Sequence, residues 1–422
     1  MYLKIRCKGI VFMYFSKKDF LNRYYIVLLL LAILLIAATL RSPISSVGPL
    51  IPFFRGELEA SNAMIGLVNT LPLLAFGLFS PFVPRLSSKF GMEFTLLIAM
   101  VFLSIGVFIR ASGGIELLLF GTLLTGMAIA VGNILMPGLI KSTFPYRIGL
   151  MTGLYSVSMN LFGAIASGIS VPIASIDAFD WRNAMQIWSI ISLAAVIVLL
   201  LRLPVTRSGG KKVFMNVKSQ PSRAIFKSKI AWAVTFFMGL QSLIPYSLFT
   251  WLPDILITKG FDESEAGWLI AIYQLGLIPT TFIAPILAGR MKSQRLIGCS
   301  SGLLFFLGLL GVAFTSSHLI IIFLILTGVG AGTAFSLAMM FFVLRTNTVI
   351  ESAQLSSMAQ SIGYIVASTG PLFLGTISEM AGGWTVPFII LMAVALCIAF
   401  LGTIAGKNQK ISFESTEESA AK

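Results

Sequence analysis

Charged residues are scarce in this 422-residue chain. They make up 11% of it, whereas hydrophobic residues make up 57%, and the mean hydropathy is +0.94. Soluble domains carry about a quarter charged residues, and one soluble core could not bury so large an apolar fraction. The shortage of charge therefore excludes an ordinary soluble domain and indicates that a lipid bilayer surrounds most of the chain.

Cysteine and histidine are equally sparse. The three cysteines (Cys7, Cys299 and Cys397) are single and far apart, so neither a disulfide framework nor a zinc site is predicted. The one histidine, His318, stands where a predicted span begins. A GxxxxGK[ST] phosphate loop is also missing from the sequence. We therefore expect no enzyme active site, no metal or other cofactor, and no ATP motor within this chain.

Apolar runs of about 20 residues, the length of a transmembrane helix, recur along the whole sequence. They predict twelve spans, near residues 25–51, 63–83, 93–110, 116–140, 149–173, 183–203, 230–253, 265–289, 296–314, 319–344, 353–377 and 384–405. We expect an all-α membrane protein with a six-helix half at 25–203 and another at 230–405. A basic linker at 204–229 joins the halves, and short segments at 1–24 and 406–422 flank them.

Lysine and arginine are distributed unevenly over the predicted loops. With the N-terminus inside, the inner segments hold 25 of the 30 basic residues, and ten of the 16 acidic residues lie outside. Because basic residues favour the cytoplasmic side, both termini and the linker are predicted to be cytoplasmic. Trp181, Trp251 and Trp384 are assigned to the outer interfacial belt. The net charge of +14 follows from this topology, and no nucleic-acid partner is expected.

Gly121–Tyr155 covers the fourth span, a short loop and the start of the fifth. Small or polar residues share one helical face of the fourth span, because steps of three and four from Asn133 reach Gly126, Ala130, Pro137 and Lys141. In lipid, such a face either packs against another helix or lines a water-filled path. Packing alone would explain it, but a counterpart about two hundred residues further on favours a transport path.

The two halves repeat each other at a constant spacing. Four residue pairs are separated by 201 to 203 positions: Pro52 and Pro253, Gly66 and Gly267, Ser158 and Ser361, and Trp181 and Trp384. An offset this constant indicates duplication. Six spans duplicated in one orientation around a cytoplasmic linker resemble the major facilitator fold.

Five stretches resemble the CynX/NimT (cyanate and nitroimidazole transporter) family of the major facilitator superfamily. They are RSPISSVGPLIP (41–52), GLVNTLPLLAFGLFSP (66–81), Gly121–Tyr155, GLQSLIPYSLFTWLPDIL (239–256) and LRTNTVIESAQLSSMAQSIGYIVASTGP (344–371). Together they cover most of the membrane domain in both halves. The resemblance implies a transporter of a small-molecule substrate, with spans 1, 4, 7 and 10 around a central cavity.

Arg41 is the one charged residue well inside a predicted span, and no intramembrane carboxylate is available to pair with it. A buried arginine is costly unless it is paired or faces water. Its planar guanidinium group suits an anionic or nitro-bearing ligand, so we predict that it binds substrate. The alternative is an anchor at the outer end, if the first span breaks at Pro43.

Other residues are assigned to the site with less distinctive signals. The predicted substrate-binding set is Arg41, Asn133, Gln241, Tyr246, Phe335 and Arg345, and the predicted gating or hinge set is Lys89, Gly91, Pro137 and Pro245. For Asn133, Gln241 and Tyr246 the alternative is a structural hydrogen bond between helices. For Phe335 it is bulk packing, and for Arg345 it is an anchor or gate on the cytoplasmic side. Lys89 and Gly91 fit the superfamily's loop signature after span 2, but Ser88 and Met92-Glu93 depart from it.

These observations predict a secondary active or facilitative transporter of the cell membrane, functional as a monomer, that works by rocker-switch alternating access. The expected substrate is small, planar and anionic or weakly polar, either cyanate-like or nitroheterocycle-like. The alternative is a proton-coupled multidrug efflux transporter of the same fold. Such exporters usually need an intramembrane acid, whereas the nearest candidates, Glu93 and Asp254, fall at the ends of spans.

Overall fold

A computed structural model describes residues 17–58, 62–209, 223–315 and 318–411. Within these ranges the chain forms α-helices and two short 3-10 helices, Ser80–Phe82 and Arg223–Lys227, and no strand. The first half contains α1 (Lys17–Ser45), α2 (Val47–Glu57), α3 (Asn62–Phe79), α4 (Val83–Phe90), α5 (Met92–Ile109), α6 (Ile115–Thr143), α7 (Ile148–Ala174), α8 (Trp181–Gln186) and α9 (Trp188–Gly209). The second half contains α10 (Lys229–Thr258), α11 (Glu263–Arg290), α12 (Arg295–Phe314), α13 (Ile320–Leu344), α14 (Val349–Ala381) and α15 (Thr385–Ala405).

Eleven segments of the described chain are long and apolar enough to cross a membrane. The first of them, Ile26–Ile51, runs through α1 into α2. Between this span and α5 lies α3, an 18-residue apolar helix that packs on α6. The prediction of an all-α membrane protein is confirmed. We call the end of the bundle at which α9 ends and α10 begins the linker end, and the opposite end the far end.

Equivalent helices of the two halves pack in the same way. Thus α1 packs on α7 and α9, as α10 packs on α14 and α15, and α5 packs on α6 and α9, as α12 packs on α13 and α15. Glycines permit the closest of these contacts, because a Cβ atom on Gly298 of α12 would lie 2.5 Å from the carbonyl oxygen of Gly402 on α15. The duplicated sequence therefore produces duplicated packing.

Contacts between the halves involve α7 with α11, and α14 with α3 and α6. At the first of these, a Cβ atom on Gly149 would lie 2.4 Å from the carbonyl oxygen of Pro285. Gly149 is the second residue of α7, and Pro285 precedes the end of α11 by five residues. The backbones of the two halves therefore meet closely near the linker end.

The helix of the first span breaks at Ser46, between α1 and α2. Arg110, which is 1% exposed, donates a hydrogen bond of 2.6 Å to the carbonyl oxygen of Pro43 just before the break. Its second contact is with the hydroxyl of Ser46, at 3.4 Å. Arg110 is therefore the cation that holds the far end of α1, and Arg41 lies deeper, two residues before Pro43.

Hydrogen bonds fix α2 to α8 at the far end. Arg182 bonds one oxygen of Glu57 and the indole N–H of Trp181 donates to the other, each at 2.6 Å. These two bonds lower the pKa of the Glu57 carboxyl, and the bond from Arg182 has the larger effect. Trp181 lies at the end expected for an outer belt, but it is 3% exposed. Its ring packs against Phe54 at 5.5 Å, and its N–H bonds the partly exposed Glu57 carboxylate.

Candidate functional site

Arg41 lies between the two halves. It belongs to α1, within the span Ile26–Ile51, and its side chain is partly exposed. Its guanidinium carbon is 5.7 Å from the ring centroid of Tyr246 on α10, within the range of a cation–π contact. None of the ion pairs among the described residues includes Arg41. The structure thus brings together two predicted site residues, one from each half, around a positive charge without a carboxylate partner.

Two further tyrosines lie within the electrostatic reach of Arg41. Its charge acts on the hydroxyl groups of Tyr273 on α11 and Tyr364 on α14. The Tyr364 ring makes an edge contact with Phe76 of α3 at 4.8 Å. Three tyrosines of the second half therefore lie within the electrostatic reach of a cation of the first half, and one of them, Tyr246, contacts it. Such surroundings suit a flat ligand that accepts hydrogen bonds at its edge.

Neither Tyr273 nor Tyr364 was included among the residues predicted from the sequence. A tyrosine in the middle of an apolar helix resembles any other core aromatic when only its periodicity is considered. The available signal was the hydroxyl group, because a phenol in a membrane interior requires a hydrogen-bond partner or access to water.

Asn133 of α6 makes two hydrogen bonds that connect helices. Its side-chain oxygen accepts a bond of 2.9 Å from the hydroxyl of Tyr155 on α7. Its backbone oxygen accepts a bond of 3.1 Å from the side chain of Gln360 on α14, in the other half. That carbonyl is available because Pro137, four residues later, has no N–H to donate. Asn133 therefore links helices here, and its contact with substrate stays a prediction.

The same use of proline recurs twice where α14 meets the first half. In each case a serine hydroxyl of α14 donates to a carbonyl oxygen whose usual donor, four residues later, is a proline. Ser361 donates to the carbonyl oxygen of Gly77 at 2.5 Å, and Pro81 is the residue four positions after Gly77. Ser357 donates to the carbonyl oxygen of Ser80 at 2.6 Å, and Pro84 is four positions after Ser80. Pro81 and Pro84 thus leave carbonyls without their usual α-helical donor, and serines of the second half bond them; the Ser80 carbonyl also accepts from the backbone N–H of Val83.

Lys141, near the end of α6, crosses to the end of α13. Its ammonium group donates to the carbonyl oxygens of Val343 at 3.0 Å and Thr346 at 2.6 Å, and to the Thr346 hydroxyl at 2.8 Å. The last carbonyls of a helix lack intrahelical donors and carry partial negative charge. All three donors of the lysine are therefore occupied at the linker end. We call this set of contacts the Lys141 bridge.

The remaining predicted substrate residues lie in three different settings. Gln241 of α10 is buried, and its amide donates to the Ser242 hydroxyl at 2.8 Å and to the Met238 carbonyl at 3.1 Å. Phe335 of α13 is partly buried against the core. Arg345 follows α13 at the linker end, about 15 Å along the helix axis from Phe335. The structure therefore does not bring Arg345 together with Arg41.

Arg345 makes its polar contacts within its own half. Its guanidinium donates to the side-chain oxygen of Gln294, beside the start of α12. Its backbone oxygen accepts a bond of 2.8 Å from the N–H of Ile411, beyond the end of α15. These contacts are those of an anchor, which was the alternative assigned to this residue.

The predicted gating residues divide into a loop pair and two helix prolines. Gly91 joins α4 to α5 with a φ of +86°, a conformation that L side chains rarely adopt. Lys89 is exposed, and its ammonium lies 5.2 Å from the ring centroid of Phe90. Pro137 frees the Asn133 carbonyl, and Pro245 directly precedes Tyr246. Pro245 thus lies beside a residue of the candidate site, Pro137 acts on the bond between Asn133 and Gln360, and the loop pair lies at the linker end.

Comparison with known proteins gives consistent matches over most of the chain. The family model described as Major Facilitator Superfamily matches residues 27–368. The uncharacterised transporter YycB of Bacillus subtilis (strain 168) is 39% identical over 92% of this chain and 96% of its own. The 2-nitroimidazole transporter of Escherichia coli (strain K12) is 36% identical, covering 91% of this chain and 97% of its own. The cyanate transport protein CynX of the same strain is 24% identical, over 91% and 98%.

Solved structures match the fold. The proton:xylose symporter XylE superposes with a TM-score of 0.73 and 14% identity, covering 94% of this chain and 98% of its own. FucP, solved in an outward conformation, superposes with a TM-score of 0.69 and 13% identity, over 91% and 99%. At this level of identity the likeness concerns the arrangement of the helices.

Proposed function

The chain belongs to the Major Facilitator Superfamily, and from this premise we propose that it transports a small planar solute that is anionic or bears a nitro group. It is a multi-pass membrane transporter and not an enzyme. The observation that carries the proposal is Arg41, a partly exposed guanidinium inside a span, between the two halves and without a carboxylate partner among the described residues.

The chemistry of Arg41 narrows the class of ligand. A guanidinium has five N–H donors in one plane and no acceptor, so it binds groups with several acceptor atoms, such as carboxylate, cyanate or nitro. The Tyr246 ring beside it can stack on a flat ligand. The substrates named for two relatives, 2-nitroimidazole and cyanate, are small molecules of this kind, and they support the proposal.

Alternating access follows from where the halves are bonded. Asn133 lies ten residues from the end of α6, about 15 Å from the linker end, and Ser361 lies twelve residues after the start of α14, about 18 Å from that end. Arg41 lies ten residues before Ile51, about 15 Å from the other end of its span. The bonds between halves therefore lie on the linker side of Arg41. We propose that this state is closed at the linker end, and that transport requires these bonds to break while the far end closes.

We propose that the linker end faces the cytoplasm, because 25 of the 30 basic residues lie in segments on that side. Labelling of intact cells tests this orientation. A cysteine introduced at position 210 should resist a membrane-impermeant thiol reagent, and one introduced at position 263 should react. The opposite pattern would overturn the orientation.

The multidrug-exporter alternative depends on an acid deep in a span. Glu93, at the start of α5, forms an ion pair of 2.8 Å with Arg202 near the linker end. Asp254 lies four residues before the end of α10. Neither acid lies beside Arg41 among the described contacts, so we favour the interpretation in which the central group is the arginine.

Paired substitutions of Arg41 test the proposed function. Arg41→Lys keeps the charge but removes the planar fork, so binding of 2-nitroimidazole or cyanate should weaken while folding survives. Arg41→Ala should nearly abolish transport and leave the melting temperature equal or higher, because it removes a poorly solvated charge. The measurements are flux in proteoliposomes and the melting temperature of the purified protein.

Arg110 provides the matched control, because it is also an arginine of the first half but is bonded to Pro43 and Ser46. Arg110→Ala should lower the melting temperature and leave the affinity of the folded protein for either probe unchanged. Normal flux in Arg41→Ala would remove Arg41 from the site, and with it the reason to expect an anionic or nitro-bearing substrate.

A further inference from the structure

Tyr273 carries a buried hydroxyl group whose presence is not explained by the contacts of its ring. The residue lies in α11, its side chain is 0% exposed, and its hydroxyl oxygen has no hydrogen-bond partner among the residues that the structure describes. Buried polar groups in proteins are nearly always hydrogen-bonded, and one left without a partner is destabilising. A phenylalanine would fill the same space without this cost, so the hydroxyl needs an explanation.

The neighbours of Tyr273 place its ring beside the candidate site. Phe249 of α10 makes an edge contact with the ring, with the centroids 5.6 Å apart. Phe249 lies three residues after Tyr246, so the two side chains share a face of α10. Tyr246 in turn contacts Arg41. Arg41 and Tyr273 therefore contact neighbouring positions on the same face of α10. Arg41 lies beside Tyr246, and Tyr273 lies beside Phe249.

Electrostatics points to the same position. The charge of Arg41 acts on the Tyr273 hydroxyl, which agrees with the positions of the two residues beside one face of α10. Both groups present N–H or O–H donors, and neither has an acceptor from the protein among the described hydrogen bonds. Two donor groups beside neighbouring positions of one α10 face, with no acceptor among the described residues, can share an acceptor that a ligand supplies.

Tyr155 shows what a structural tyrosine looks like in the same bundle. It is 1% exposed, and its hydroxyl donates to the side chain of Asn133 at 2.9 Å. Its hydroxyl is therefore part of the helix packing. The difference between the two residues lies in the hydroxyl alone, since both rings are buried.

We propose that Tyr273 donates its hydroxyl hydrogen to the ligand held by Arg41, and so selects solutes with at least two hydrogen-bond acceptor atoms. This inference rests on the proposed function and narrows its substrate class to acceptor-rich groups such as nitro, carboxylate or cyanate. The two donors come from opposite halves, so the ligand connects α1 with α11. A solute that offers only donors, such as an alkyl ammonium ion, fails at both contacts.

The test compares Tyr273→Phe with Tyr155→Phe in the full-length protein. The dissociation constant is measured by calorimetry for 2-nitroimidazole and for imidazole, the latter at a pH at which it is uncharged. Tyr273→Phe should weaken 2-nitroimidazole binding by about 5- to 10-fold, the effect of one hydrogen bond, and should leave the weak binding of imidazole unchanged. Its melting temperature should be equal to that of the wild type or higher, whereas that of Tyr155→Phe should be lower.

Three outcomes are decisive. Wild-type affinity for 2-nitroimidazole in Tyr273→Phe would overturn the inference. Equal weakening for 2-nitroimidazole and imidazole would also overturn it, because the pocket would then have changed shape. If the wild-type protein binds neither 2-nitroimidazole nor cyanate, the proposed substrate class fails first, and this result is distinguishable because it appears before any tyrosine is changed.

Discussion

Lys141 and Arg345 occupy nearly equivalent positions in the two halves but make opposite kinds of contact. Each lies at the linker end of an equivalent helix, α6 or α13, and they are 204 residues apart, close to the repeat spacing of 201 to 203. Lys141 reaches across to the other half, whereas Arg345 bonds Gln294 and Ile411 in its own half. A duplicated cation can therefore either connect the halves or brace one of them.

The side-chain chemistry accounts for the difference. An ammonium group is compact and has three donors, which match the three oxygens at the end of α13. A guanidinium is planar, and Arg345 directs it to one amide oxygen while its carbonyl accepts from the chain that follows α15. The Lys141 bridge is therefore one of the contacts that must break for the halves to separate at the linker end.

A second pair of equivalent residues shows the same contrast. Ser158 and Ser361 are 203 residues apart. Ser158 donates to the carbonyl oxygen of Leu34 at 2.9 Å, within its own half, whereas Ser361 donates across the interface to Gly77. Leu34 is followed four residues later by Ala38, but Gly77 is followed by Pro81. The freed carbonyl at Gly77 gives Ser361 an acceptor that is not shared with a helix N–H.

The largest effect is expected from breaking the Lys141 bridge. Lys141→Met removes three hydrogen bonds between halves, so the linker end should open more often. The reporter is Val349→Cys in a chain whose native cysteines are replaced by serine. Its thiol labelling should become about tenfold faster, which corresponds to a decrease of about 1.4 kcal/mol in the free energy of opening the linker end. Val349 is a suitable reporter because it faces Gly138 across the interface.

Arg345→Met is the matched control for this substitution. It should lower the melting temperature, because the buried amide of Gln294 loses its partner, and it should leave Val349→Cys labelling at the wild-type rate. Unchanged labelling in Lys141→Met, or equally fast labelling in Arg345→Met, would contradict the distinction between connecting and bracing.

A smaller effect is expected from the serine pair. Ser361→Ala should speed the same labelling reaction by about two- to fivefold, because one neutral hydrogen bond contributes about 0.5–1 kcal/mol. Ser158→Ala should lower the melting temperature without changing the labelling rate. Pro81→Ala restores the helix donor to Gly77, so adding Ser361→Ala to it should have little further effect. A full additional effect in that double variant would disprove the role assigned to Pro81.

Much of the fold could be predicted from the sequence because its signals are local. Apolar length defined the spans, and the constant offsets defined the duplication. For the site, Arg41 was recognisable because a charge inside a span is rare, and the structure places it against Tyr246. Arg345 was included in the substrate-binding set with a cytoplasmic anchor as its alternative, and its contacts at the linker end favour the anchor.

The contacts that hold the halves together could not be predicted from side-chain pairing. The partners of Lys141, Gln360, Ser357 and Ser361 include backbone oxygens, and every residue has one. Only the prolines are visible in the sequence, because each one leaves the carbonyl four residues earlier without its usual α-helical donor. Such carbonyls include those of Gly77, Ser80 and Asn133, and also that of Thr281, which bonds Ser336 within one half.

The brace between α2 and α8 at the far end also has a kinetic consequence. Because Glu57 is bonded to both Trp181 and Arg182, we expect α2 to move together with α8 and not as a separate flap. Under the proposed alternating access, closure of the far end then involves collective motion of the whole half, which takes microseconds to milliseconds in proteins. The turnover number would accordingly be insensitive to the size of the solute and sensitive to the viscosity and thickness of the bilayer.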